Sequence, residues 1–424
     1  MFRRVASLRA LQHRAYATLW FGSFVSNIGN WMQTIALGVF VTETTGRAGW
    51  TGTVAALMYL PALVFGPLGG AIADRVDRRR YLFAGTLAQT ALAALLAGLA
   101  FGHQLTVPIV ALVAMVAGCV AAMLSPAFNA LLVEIVPRED LLSAVSLNSA
   151  AYNLGRIIGP LCTAAAMVWG GVGAALAANA VSFLAALAAI AVMPGAKVAL
   201  GPPEPVWAGI RRGVAAAMDD SGIRTALALT LAVGMLVAPF IGLVPVMAIK
   251  VLGGGAPETS LLVACQGVGA VCAAVVGGTI AERIGRRTLL LVAAPASAAL
   301  AVAFWLAPGL HLAAAIIFCL GGAYLTALAG LNTVVQARAP SELQARVASL
   351  YGMLLGGGYA IGLVVMGFLA DRFGMRLVGF IGAASCLAVL GAMRALRPEW
   401  LRALVAPTAG PPRPVEPSLE PRGD

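Results

Sequence analysis

The sequence predicts an all-α polytopic membrane protein with twelve transmembrane helices in two pseudo-symmetric six-helix bundles. Three observations carry that expectation. Apolar residues make up 60% of the 424 and charged residues 11%, against roughly 45–50% and 25% in soluble domains. Those apolar residues fall into runs long enough to cross a hydrocarbon core of ~30 Å. A charged stretch between two runs, 70–80 (GAIADRVDRRR), returns at 278–288 (GTIAERIGRRT), which marks an internally duplicated membrane protein.

In chain order, Arg3, Arg4, Arg9 and Arg14 precede the first apolar run, at 16–42. That run is too long for the apolar core of a signal peptide and lacks a cleavage site, so it reads as a retained span. Further spans are expected at 48–73, 81–102, 106–134, 141–169 and 172–193, completing an N-terminal bundle over 1–193. The linker 194–221 holds Pro202, Pro203 and Pro205, then Trp207, Ile210, Val214 and Met218 at helical spacing. This stripe predicts an amphipathic helix on the membrane surface. A second bundle, 222–397, has spans at 222–250, 258–281, 288–308, 311–337, 343–369 and 375–396. The proline-rich remainder, 398–424, reads as a disordered tail.

Basic residues orient the chain. The loops on the side of the termini hold the N-terminal arginines, Arg75 to Arg80, Arg138, the central linker and Arg283 to Arg287. The opposite loops hold only Arg47, Lys250, Arg372 and Arg376. The asymmetry predicts both termini in the cytoplasm and the bacterial inner membrane as location. It also explains the net charge of +11 without nucleic acid. All six cysteines lie in apolar runs without ligand spacing, so neither a disulfide framework nor a metal site is expected. No phosphate-binding lysine loop, zinc ligand set or Ser/His/Asp grouping is present, which excludes an ATP-driven pump and argues against an enzyme. No cofactor is implied.

Six plus six spans and the charged loop after spans two and eight closely resemble the major facilitator superfamily. Its motif, Gly-x-x-x-Asp-Arg-x-Gly-x-Arg-Arg, is matched by Gly70, Asp74, Arg75, Arg79 and Arg80. Asp77 replaces the usual glycine, so the turn there must be made differently. The second copy has Gly278, Glu282, Arg283, Gly285, Arg286 and Arg287. Two further stretches, 26–46 (SNIGNWMQTIALGVFVTETTG) and 153–160 (NLGRIIGP), resemble the bacterial secretion-effector branch, which includes enterobactin and macrolide exporters.

A carboxylate such as Asp74, at the interface, can cap a neighbouring helix N-terminus. The resemblance implies that this neighbour is helix eleven and that Asp74 latches the halves. Glu134 lies roughly 42 Å of helix beyond Thr106, at the membrane surface, and the resemblance implies pairing with Arg78. Gln336 takes the place of Glu134 in the second half, so the second relay is expected to be weaker. The gating candidates are thus Gly70, Asp74, Arg75, Arg78, Arg79, Glu134, Gly278, Glu282, Arg283 and Arg286. Alternatively these arginines only set topology and bind anionic lipid.

An ionisable residue inside a span is a functional candidate by default. Arg156 lies about 24 Å of helix beyond Asp140, toward the midplane. Asn148, Tyr152, Arg156 and Gly159 form one stripe that can face a cavity. Asn27, Asn30 and Gln33 in span one, Asn129 in span four and Asn332 in span ten are further path candidates. Each could instead bridge helices, and Arg156 could instead bond backbone carbonyls.

The expected function is secondary-active export of a small organic molecule, a siderophore or drug, by alternating access. Proton coupling comes from the resemblance. No mid-span carboxylate is present, so Glu134, Asp74, Glu43 or the substrate would carry the proton. A metabolite uptake symporter and a non-transporting scaffold or sensor are the alternatives. The expected partners are substrate, protons and lipid, with the chain a monomer.

Overall fold

The protein, a computed structural model, is described over residues 6–73, 75–193, 206–340, 342–399 and 404. Arg3, Arg4, Asp74, the linker segment 194–205 and the tail from 405 lie outside those residues.

A short 3-10 helix, Ala6–Gln12, leads into α1 (Arg14–Thr45). The second span is broken into α2 (Ala48–Tyr59) and α3 (Ala62–Ala73). Pro61 causes the break, because it has no N–H to return to the preceding turn. α4 (Arg78–Phe101) and α5 (Val107–Ile135) are the third and fourth spans. α6 (Leu141–Ala191) contains two spans joined at Gly170 and Gly171. Gly171 has φ 62° and ψ −158°, a region that a Cβ excludes.

Contacts with α1 show that α6 doubles back there. Gly22 and Gly29 of α1 meet Ala189 and Ser182, an antiparallel order. Asn27 and Trp31 meet Gly155 and Gly159, a parallel order. The two parts of α6 therefore run in opposite directions.

In the second half, α8 (Ser221–Leu236), α9 (Phe240–Val246) and a π-helical turn, Met247–Val251, make one interrupted span. Pro239 and Pro245 lie at and inside the interruption. α10 (Ala256–Ile284), α11 (Arg286–Leu306), α12 (Leu310–Arg338), α13 (Gln344–Phe373) and α14 (Met375–Leu396) follow. The described residues thus form twelve spans, six and six. Large side chains face outward, including Trp169 at 90% exposure and Val275 at 74%, a surface that a bilayer solvates and water does not.

α7 (Val206–Asp219) is the helix of the linker. Its protein-facing side is Gly213 and Ala217, which are buried, while Val214 and Met218 are exposed. A methyl at Gly213 would lie 3.1 Å from the Arg346 Cβ at the start of α13. The helix is therefore docked on the protein at the terminal side, with Val214 and Met218 turned away from it. The side chains of Trp207 and Ile210 lie outside the described residues.

Small residues set the close approaches between helices, as expected where bilayer lipid removes the hydrophobic drive for association. Within the second half, a methyl at Gly269 would collide with the Phe318 carbonyl oxygen and one at Gly321 with that of Gln266. Between halves, one at Gly52 of α2 would collide with the Leu363 carbonyl of α13. Gly367 of α13 likewise sits on the Ala48 carbonyl, whose oxygen a methyl would meet at 2.7 Å, and Gly267 of α10 on that of Arg156, at 3.1 Å.

Candidate functional site

Arg156 lies on the first part of α6, about one turn before Pro160, and is only 6% exposed. Gly159 allows α1 to approach so closely that a methyl there would lie 2.5 Å from the Trp31 Cβ. That approach brings the Trp31 ring under the guanidinium, whose central carbon is 5.3 Å from the ring centroid, within cation–π range. Tyr59, Tyr152, Tyr324 and Tyr359 lie within electrostatic reach of the same group. They come from α2, α6, α12 and α13, so both halves build the site. Tyr59 and Tyr359 meet edge-on across the halves, 5.2 Å between centroids.

Arg156 Nε and Nη2 are buried and have no hydrogen-bond partner. The groups around them are aromatic, and none of those within electrostatic reach is a carboxylate. Burying a cation with unsatisfied donors is expensive. What the arrangement offers chemically is a charged donor pair framed by π faces, which suits an anionic or π-rich ligand.

The other path candidates divide. Asn30 and Asn129 are exposed, and Tyr152 is 48% exposed with its ring 5.8 Å from that of Trp31. Asn27 is half-buried against Gly155. Gln33 is buried, and its Oε1 accepts from Asn179 Nδ2 at 2.8 Å. It therefore ties the first span to the sixth instead of facing the path. Asn332 Oδ1 accepts from Gln336 Nε2 at 3.0 Å.

A crevice of about 760 Å³ opens between α6 of the first half and α10, α11 and α12 of the second. Ser149, Asn153, Thr326, Thr333, Arg286 and Arg287 are among its lining residues. Asn153 is one helical turn from Arg156. The crevice lining comes from both halves, on the terminal side of Arg156. On the opposite side, α2 and α13 are in backbone contact.

The charged loops differ between halves. Arg78 and Glu134 form an ion pair joining α4 to α5. Arg79 donates from Nε to the Ile190 carbonyl at 3.1 Å and from Nη2 to that of Ala191, holding the end of the sixth span. Asp77 makes the turn with φ −60° and accepts from the Arg80 N–H at 2.9 Å, a side-chain cap in place of glycine. Gly285, its counterpart, uses φ 83°. Gly70 is half-buried near Pro126, and Arg75 is exposed.

In the second copy, Gly278, Glu282, Arg283 and Arg286 are all exposed, and the described residues place no ion pair there. The second half instead pairs Arg338 with Asp220, at 2.8 and 2.9 Å. Burial pushes the Asp220 carboxyl up, but the Arg338 guanidinium and the Ile223 N–H together hold it below its ordinary value. His13 and Asp140 are a further terminal-side pair at 2.8 Å.

Sequence reasoning missed Trp31, Tyr59 and Tyr324, whose convergence needs the packed helices. It also missed Asp371, on the opposite side, although its surroundings spell Gly367, Asp371, Arg372, Gly374 and Arg376.

The profile of a family described as "Transmembrane secretion effector" matches residues 5–422. Macrolide efflux protein A of Streptococcus pyogenes is 24% identical over 371 residues, covering 85% of this chain and 90% of that protein. The staphyloferrin A transporter of Staphylococcus aureus is 30% identical over 139 residues, 32% of this chain and 35% of that one. A bacterial homologue of the human lysosomal transporter Spinster, solved inward-facing and unoccupied, superposes with a TM-score of 0.69 at 14% identity, covering 92% of this chain and 96% of that one. Fold and family are those of a transporter and not of an enzyme. The chain belongs to the transmembrane secretion effector family of the major facilitator superfamily and is a multi-pass membrane transporter.

Proposed function

We propose that the chain is a secondary-active exporter of a small anionic or π-rich organic molecule, such as an acidic siderophore or an amphipathic drug. The observation that carries this reading is Arg156: a buried cation with two orphan donors, framed by aromatic rings from both halves. Export is by alternating access. The terminal side is cytoplasmic, because the basic loops gather there, and the membrane is the bacterial inner membrane. The open crevice then faces the cytoplasm, and Arg286 and Arg287 at its wall draw anions toward Arg156. Protons are the coupling ion, carried by carboxylates at the span ends, of which Glu134 with Arg78 is one. Both halves of one chain supply the site, so a monomer suffices, with lipid around it.

Similarity to exporters of a macrolide and of staphyloferrin supplies the first cargoes to try. Cells producing the chain should retain several-fold less labelled macrolide or siderophore than cells producing Arg156→Met at equal expression. A protonophore should abolish the difference. Equal retention with every cargo of both classes would count against export, and a difference that ignores the protonophore would remove proton coupling.

A further inference from the structure

The opposite end of the molecule carries a charged loop that none of the preceding assigns a role. Residues 367–376 read Gly-x-x-x-Asp-Arg-x-Gly-x-Arg, the same spacing as the loop at 70–79, but between the last two spans. The backbone and contacts repeat as well as the letters. Gly374 turns with φ 85° and ψ 146°, as Gly285 does with φ 83° and ψ 140°. Arg376 Nη2 donates to the Ala307 carbonyl at the end of α11, at 3.0 Å. Arg79 holds the end of the sixth span in the same manner.

Asp371 reaches across the two halves. Its Oδ1 accepts from the Ala48 N–H at 2.6 Å and its Oδ2 from the Gly49 N–H at 3.2 Å, with Arg47 Nε 3.4 Å away. Ala48 and Gly49 are the first two residues of α2. A carboxylate there satisfies orphan N–H groups and meets the positive end of the helix dipole. Gly49 is needed for the approach, since a methyl would lie 2.7 Å from Oδ2. Arg47 is more than half exposed, so the helix N-terminus is the principal partner. The contact lies on the side opposite the crevice, on the same pair of spans whose backbones touch at Gly52 and Gly367.

We propose that Asp371 is a reversible clasp: it holds α13 to the N-terminus of α2 while the crevice is open, and must release for the opposite end to open. The inference rests on alternating access. It assigns the carboxylate a positioning role in the transport cycle, with no contact to substrate.

Hydrogen exchange on the full chain in nanodiscs tests it. Asp371→Asn should raise exchange about tenfold in the first turn of α2, the scale of losing a charge-assisted cap. It should also slow exchange severalfold at the crevice walls, 149–153 and 273–290, as the population shifts toward closure there. Gly49→Ala, which leaves the charge in place, should act in the same direction. Faster exchange confined to α2, with the crevice unchanged, would reduce Asp371 to a static cap and overturn the clasp. Gly52→Val separates the two levels, because it forces α2 and α13 apart without touching Asp371. If Gly52→Val protects the crevice and Asp371→Asn does not, the clasp alone fails. If neither protects it, the two ends are uncoupled, and alternating access fails along with the clasp.

Discussion

Arg156→Met is expected to leave the protein at least as stable as the parent while lowering export at least about tenfold. The two halves of that expectation come from one observation. Nε and Nη2 of Arg156 are buried without partners, so replacing the side chain strands no carboxylate or carbonyl. Removing one member of a buried pair destabilises because the other is left unpaired, and here no such partner is left. Methionine fills much of the volume and packs on the Trp31 ring, so the thermal midpoint in detergent should hold or rise. The lost transport reflects a charge-assisted hydrogen bond to cargo, ~1.5–3 kcal/mol, or roughly ten- to hundredfold. A midpoint that falls by several degrees would instead favour a packing role for this arginine. Arg156→Lys should recover only part of the activity, since a compact ammonium neither stacks on Trp31 as a plane nor offers a fork of donors.

The second large effect is on stability. Gly269→Ala should cost about 1–3 kcal/mol or more, because its methyl would collide with the Phe318 carbonyl oxygen, which belongs to a helix backbone and cannot rotate away. α10 is wedged between α12 at Gly269 and α6 at Gly267. Moving it therefore disturbs the backbone of Arg156 as well as the second bundle. Thermal unfolding should show the midpoint lowered by several degrees and less protein recovered. Gly278→Ala, at an open position with no atom within 4 Å, is the matched control and should be close to neutral.

Much of the fold is legible from hydropathy alone, because a span must be long and apolar whatever it packs against. The breaks are less legible. Pro61 and Gly171 mark two of them, but whether a proline bends a span or interrupts it depends on its neighbours. Arg156 can be read from its depth, since no other charge lies so far from a span end. Its setting cannot, because Tyr59, Tyr324 and Tyr359 are far apart in the chain and meet only through helix packing. Gln33 shows the opposite limit: polar residues on a span look alike until the partner, here Asn179, is known. Asp77 is recognisable as a departure from the glycine of the motif, and the side-chain cap explains how the turn survives it. Asp371 has a signal in the sequence that charge asymmetry hides. Arg372 and Arg376 look like exceptions to the basic bias, while the spacing around them repeats that of 70–79. The stretch at 278–288 keeps the motif letters, yet without a glutamate at Gln336 its Arg286 stands exposed on the crevice wall.

Inverted membrane vesicles with an imposed pH gradient, acid inside and without ATP, test secondary-active export most directly. Adding a cargo that cells expel should dissipate the gradient in vesicles carrying the parent chain and accumulate the cargo inside. Vesicles carrying Arg156→Met should keep the gradient and stay empty. Accumulation that proceeds with no gradient, or equally well in the Arg156→Met vesicles, would contradict the account.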